Sequence, residues 1–294
     1  MASVLSMPQN SSFHVRSISL PSSAHPLVAR VEEAIEKLEA WKTLNASSSP
    51  LTAEAICDGL GGLRDLYDCI QELLHMPLAI HHGKKWADDA LDGSLRLLDM
   101  CSTTRDILLQ MKEHMQSLGS ALRRRGESSI IRSSINAYIS SMKRAKKDIN
   151  KCLSKLKETD NNKSNSDQQM STVAMLLRET RVTTISFLQT ILSLLSASRS
   201  NPKISKWSLV SRWMHKGQVA CSKEEQKVVN EAWSVDIALR DLLAAKDGEM
   251  ERFCMVQRRL EAFEVSIERL DGGLESMFRF LIHTRVSLLN TFSQ

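Results

Sequence analysis

Residues 253–288 read FCMVQRRLEAFEVSIERLDGGLESMFRFLIHTRVSL. Within them Phe253, Val256, Leu260, Phe263, Ile267, Leu270, Leu274, Met277, Leu281, Thr284 and Leu288 follow one another in alternating steps of three and four. That spacing places every member on one stripe of an α-helix, the kind of seam through which helices pack in bundles and coiled coils. Gly272 and Gly273 lie inside the run, and each costs a helix about 1 kcal/mol relative to Ala. A hairpin turning at the glycines would reset the apolar phase. The phase is unchanged from Leu270 to Leu274, so the pattern predicts one helix passing through them, with small residues there that let a neighbour approach.

Working outward, the next strongest seam is Ile131, Ile135, Tyr138, Met142, Ala145, Ile149, Cys152 and Leu156, again in steps of three and four. Val28, Val31, Ile35 and Leu38 mark a shorter helix, opened by Pro26 and closed by the loop Ser47-Ser48-Ser49-Pro50. Leu60, Leu63, Tyr67, Ile70 and Leu74 mark another, which stops before Pro77. Over residues 86–122 the spacing reads Leu91, Leu95 and Leu98, then, after a slip of phase, Leu108, Met111, Met115, Leu118 and Leu122. Arg123-Arg124-Arg125-Gly126 ends this helix with cations in the last turn and Gly beyond. A fifth helix is predicted over 168–198. A less regular connection carrying Trp207 and Trp213 then leads to Ser222-Lys223-Glu224-Glu225, a capping box that should start a sixth.

The expected fold is all-α: an elongated bundle of about seven helices, the long ones amphipathic. The Ser-rich, acid-free residues 1–25 form a disordered arm, and 26–294 form the helical domain, with a sub-boundary in the polar stretch 159–168. With 11 Gly and 6 Pro in 294 residues, the chain lacks the punctuation that turn-rich β folds require. Cys57, Cys69, Cys101, Cys152, Cys221 and Cys254 show neither C-x-x-C pairs nor zinc spacing, and read as small buried thiols of a reducing compartment. No secretory signal is visible, and the uncharged stretch 182–198 is short and rich in Ser and Thr, which fits a core helix better than a membrane span. The expected location is cytoplasmic, with a plastid as the alternative if the arm is a transit peptide.

Three blocks carry a resemblance: Ser12-Phe13-His14-Val15-Arg16-Ser17-Ile18-Ser19-Leu20-Pro21, Leu91-Asp92-Gly93-Ser94-Leu95-Arg96-Leu97-Leu98-Asp99, and Thr284-Arg285-Val286-Ser287-Leu288-Leu289-Asn290. Together they resemble the plant-specific BYPASS-like family, a domain of unknown function, over nearly the whole chain. The resemblance implies a helical plant protein linked to root and shoot development, with no established catalysis and no catalytic residues to carry over.

Asp88-Asp89-Ala90-Leu91-Asp92 has the D-D-x-x-D spacing with which isoprenoid synthases hold Mg²⁺ against diphosphate. It lacks the second acidic motif that such enzymes need, and acidic residues near a helix start also stabilise its positive end. His81-His82 has no helical ligand geometry, and no Gly-rich phosphate loop, G-x-S-x-G or H-E-x-x-H is present. No catalytic residue, cofactor, metal or small-molecule substrate is expected. An isoprenoid enzyme stays only as a distant alternative to a regulatory protein that acts through protein contacts.

Two interaction features remain. Arg16, Ser17, Ser19 and Pro21 fit R-S-x-S-x-P, the pattern read by 14-3-3-type phosphoserine-binding proteins, though Phe13, Val15, Ile18 and Leu20 equally suit a strap docked on the helices. Arg123, Arg124, Arg125, Lys143, Arg144, Lys146, Lys147 and Lys151 belong to a basic run opposed between 123 and 157 only by Glu127 and Asp148. The seam from Ile131 to Leu156 sets the roll of that helix, so most of these cations should share a solvent face suited to an anionic membrane. Nucleic acid is not the expected partner, because no recognised binding motif or aromatic stacking pattern accompanies the charge.

The arm generates a direct test. Phosphate adds nearly two negative charges for a basic pocket to read. A Ser19-phosphorylated peptide of the arm should therefore recover 14-3-3-type proteins in pull-downs that the unmodified and Ser19→Ala peptides do not. Equal recovery would remove the docking role.

Overall fold

A computed structural model describes residues 25–48, 52–76, 84–124, 128–161, 171–196, 231–244 and 249–293. These form seven α-helices and no strand: α1 (Pro26–Ser48), α2 (Ala53–Leu74), α3 (Lys84–Arg123), α4 (Ser128–Asn161), α5 (Thr172–Ser196), α6 (Glu231–Ala244) and α7 (Glu249–Ser293). The all-α bundle expected from the periodicity is the observed fold. The arm, the linker residues 162–170, Trp207, Trp213 and the Ser222 capping box lie outside the described residues.

The 45-residue helix α7 runs unbroken through Gly272 and Gly273. From Val256 to Leu288 every member of its stripe is buried, and Phe253 is partly so. Helices α2, α3 and α6 pack directly against it. The longest shared face is with α3, and it is edged by polar pairs. Arg105 Nε donates to Asp271 Oδ1 at 2.8 Å, Lys112 Nζ pairs with Glu268 at 2.9 Å, and Gln116 Nε2 donates to Glu264 at 2.6 Å. These half-exposed contacts fix register more than they stabilise, since such pairs contribute about 0–1 kcal/mol.

The expected phase slip in α3 does not occur. Among its buried positions, Ser94, Leu97, Cys101, Thr104, Leu108, Met111, Met115, Leu118 and Leu122 form an unbroken alternation of three and four, while Leu95 is exposed and Leu91 and Leu98 are only partly buried. The leucines misled because three of the true seam positions are small and polar. Where α3 approaches α7, a small side chain is needed: Cys101 Sγ lies 3.5 Å from the Leu274 carbonyl. Thr104 and Ser94 tolerate burial because their hydroxyls donate to Met100 O and Leu91 O within their own helix.

The remaining helices extend this core. Helix α4 buries its predicted seam against α3 and α5, with Met142 partly covered. In α2, Thr52 caps the N-terminus by accepting from Ala55 N. At the other end, Thr291 Oγ1 of α7 lies 3.2 Å from Leu74 O, within reach of a carbonyl that the helix leaves without a partner. Trp41 of α1 and Phe187 of α5 stack with centroids 4.9 Å apart, seated over Gly59 of α2. A Cβ at Gly59 would fall 2.5 Å from the Phe187 ring, so the meeting of three helices depends on its absence.

The two glycines of α7 are not equivalent. A Cβ at Gly272 meets nothing within 4 Å, whereas one at Gly273 would lie 2.5 Å from Leu60 Cδ1 of α2. Gly272→Ala should raise stability by about 0.5–1 kcal/mol through helix propensity. Gly273→Ala forces Leu60 aside and should be less stable than Gly272→Ala by about 1–3 kcal/mol. Phe263→Asp or Leu274→Asp, which put a charge in the seam, should lose several kcal/mol. Urea and thermal melts of the four variants check the order. Asp variants as stable as wild type would contradict a buried seam.

Candidate interaction surface

The roll of α4 is fixed by its buried stripe, and its opposite side is basic. Arg132, Lys143, Arg144, Lys147, Lys151 and Lys157 are exposed, with Ser133, Asn136, Ala137, Ser140, Asn150 and Ser154 among them. Lys143, Arg144 and Lys147 form no ion pair with the described residues, while Lys151 reaches Asp148 within the same helix at 3.1 Å. Lys146 departs from the expected group: it is half-buried and lines a small cleft with Tyr138, Ala232 and Asp236, because its position rolls toward α6. Arg123 and Arg124 are exposed at the end of α3, and Arg123 Nη2 donates to Ser120 Oγ at 3.3 Å. Arg125, like Arg16, Ser17, Ser19 and Pro21, lies outside the described residues.

Between 132 and 157 the named side chains are long cations, small polar groups and Ala137, and the exposed Ile130 stands at the N-terminal end of the same helix. Such a surface supplies field over area, without pockets or anchors.

The D-D-x-x-D carboxylates are exposed at the start of α3, and two of the three are engaged by arginines. Asp89 faces Arg181 of α5 at 3.6 Å, and Asp92 accepts from Arg96 at 3.2 Å. No group of three or more His, Cys, Asp or Glu that could hold a metal ion is formed among the described residues. Sequence reasoning passed over Arg181, although the signal was present. Arg178, Glu179 and Arg181 are the only charged residues of α5, a helix otherwise apolar or hydroxylic apart from Gln189.

The described cysteines are free, and burial makes Cys101 and Cys152 poor nucleophiles, whereas Cys254, expected among the buried thiols, is exposed because it lies off the buried stripe of α7. Cys101 is pushed up to about 12 by burial, only partly offset by the neighbouring Arg105 cation. Burial also raises Cys152 and Cys57. No described helix is long and apolar enough to cross a membrane.

Fold and surface together define an all-α bundle built on one long central helix, with a basic outer face and no assembled catalytic constellation among the described residues. The family model described as Protein BPS1 matches residues 59–291, and the chain belongs to that family, the BYPASS-like plant family. The blocks 91–99 and 284–290 fall inside the matched span, and the arm precedes it. This is a family of unknown biochemical function and not a known enzyme family. Neither a curated protein nor a solved structure matches the chain.

The thiols give a prediction. In a Cys221→Ser background at pH 8, a thiol reagent should modify exposed Cys254 quickly and reach Cys101 and Cys152 only on unfolding. An unfolded thiol titrates near ~8.5, well below the folded Cys101. The unfolded chain therefore releases that proton first, and the Cys101 contribution to stability is whole below about pH 8.5 and declines as pH rises toward 12. Rapid labelling of Cys101 in the folded chain would contradict its burial.

Proposed function

We propose that the chain is a non-catalytic regulatory protein of plants that works by docking, and that the basic face of α4 is its docking surface for anionic membrane. The observation that carries this reading is the exposed set Lys143, Arg144, Lys147 and Lys151, three of them without an ion-pair partner among the described residues. Specific protein interfaces favour Tyr, Trp and Arg anchors and are depleted in Lys. A Lys-dominated face interleaved with Ser, Asn and Ala fits a diffuse negative charge better. The apolar side of α4 is committed to α3 and α5, so the attachment is electrostatic and peripheral, without helix insertion. Contact with protein partners through the arm is the second reading. It is supported by the Arg16-to-Pro21 pattern and is independent of α4. A role in root and shoot development fits such a docking protein and rests on the family resemblance alone.

Each cation near an anionic leaflet gains about 1 kcal/mol, and the gain fades as salt shortens the screening length to about 8–10 Å. Full-length protein should co-sediment with phosphatidylserine-containing vesicles at low salt, and less at physiological salt. The combined variant Lys143→Ala, Arg144→Ala, Lys147→Ala and Lys151→Ala should bind about ten- to a hundredfold more weakly at low salt. Lys146 is left intact because it is half-buried. Binding absent at low salt, or equal in the variant, would leave the face as ordinary solvated surface.

A further inference from the structure

Helices α2, α3, α5 and α7 leave between them a cleft of about 60 Å³. Leu97, Leu177 and Leu281 line it alongside Arg181, Asp89 and Thr284. One enclosed water needs about 10–15 Å³, so roughly four to six non-hydrogen atoms fit inside.

Two features distinguish this cleft from a packing gap. The first is Thr284, buried at 5% exposure, whose Oγ1 has no hydrogen-bond partner. Other buried hydroxyls return their proton to their own helix: Ser266 to Ala262 O, Thr291 to Ser287 O, and Thr180 to Leu176 O. Nearby, Thr184 donates to Thr180 O and thereby leaves its own oxygen to accept from Tyr67. Among the described residues, Thr284 Oγ1 is the side-chain oxygen that is fully shut off from water without a hydrogen-bond partner, and it lies at the cleft wall.

The second feature is Arg181. Its side chain is 18% exposed, and its guanidinium rests over Gly93 of α3, where a Cβ would come within 2.8 Å of Nη1. Its counter-ion is Asp89, a mostly exposed carboxylate held at 3.6 Å. Direct charge-assisted hydrogen bonds span about 2.7–2.9 Å. A guanidinium largely withdrawn from water is thus matched by a single long contact. Arg178 also lines the cleft, so the charged groups on its wall among the described residues are Arg178, Arg181 and Asp89.

We propose that the cleft is a binding site for a small amphipathic monocarboxylate. The carboxylate takes the Arg181 guanidinium in place of the long contact to Asp89. The apolar body lies against Leu97, Leu177 and Leu281, and the Thr284 hydroxyl bonds to an oxygen of the bound molecule. A single negative charge matches the one Arg181 guanidinium, whereas a phosphate dianion would exceed it and would face the Asp89 carboxylate. Gly93 is then a positioning residue, its missing side chain making the seat for Arg181. The site is separate from the α4 face and does not depend on membrane docking.

The test uses the full chain with butanoate, about six non-hydrogen atoms and so within the space available, as the probe and 1-butanol as its uncharged counterpart, read by saturation-transfer NMR and by thermal melts. Butanoate should bind and butanol should not. Arg181→Gln should weaken butanoate binding about tenfold, the order expected for a lost charge-assisted bond. Thr284→Val should weaken it several-fold while melting at or above wild type, because it removes an unpartnered buried hydroxyl. That variant keeps the test readable if Arg181→Gln folds poorly. Failure of butanoate to bind, equal binding of butanol, or full binding by Thr284→Val or by folded Arg181→Gln would overturn the proposal.

Discussion

Helix α7 is roughly 66 Å long at 1.5 Å per residue, and it carries an apolar seam along most of that length. Each fully buried Leu, Ile or Phe on such a seam contributes about 1.5–3 kcal/mol, so leaving it in water would cost more than a domain's entire net stability. No single short helix can cover it. Helices α2, α3 and α6 share the task, and α1, α4 and α5 in turn cover the outward faces of those neighbours. The bundle is the consequence of one stripe needing to be buried from several sides.

Close approach along that stripe sets the fine geometry. At Gly273 the leucine at position 60 enters where a Cβ would stand, and at Gly59 the Trp41–Phe187 stack does the same. On α3 the equivalent device is a run of small polar seam residues, Ser94, Cys101 and Thr104. Ser94 and Thr104 donate to carbonyls of their own helix and Cys101 to Leu274 O of α7, which is the condition on which helices bury such groups at all. Thr284 is the described exception, and it stands at the cleft between α2, α3, α5 and α7.

The two candidate interaction features follow from the same packing. Because α4 spends its apolar side on α3 and α5, its cations are left together on the outside with few acidic residues to neutralise them. Because Gly93 has no side chain, Arg181 of the largely apolar and hydroxylic α5 lies against α3 and is left short of a close counter-ion. One feature is a surface of excess charge and the other a partly desolvated cation. They differ in the ligand each could recognise: an extended anionic surface for the first, a single small anion for the second.

Wherever a seam was built from large apolar residues, the sequence by itself determined the helix, its phase and its buried side, as in α4 and in α7 straight through Gly272 and Gly273. The basic face of α4 was legible for the same reason, since the roll of a helix follows from its apolar stripe. The phase of α3 was not legible, because Ser94, Cys101 and Thr104 look like surface residues until the proximity of α7 requires small side chains there. Likewise only the tertiary structure distinguished Gly273 from Gly272 and Lys146 from Lys147, and only it set Arg181 beside Asp89 and Gly93. Periodicity records which side of a helix avoids water. It carries no information about which neighbour arrives, or how closely, and those contacts decide small-residue packing, long-range ion pairs and clefts.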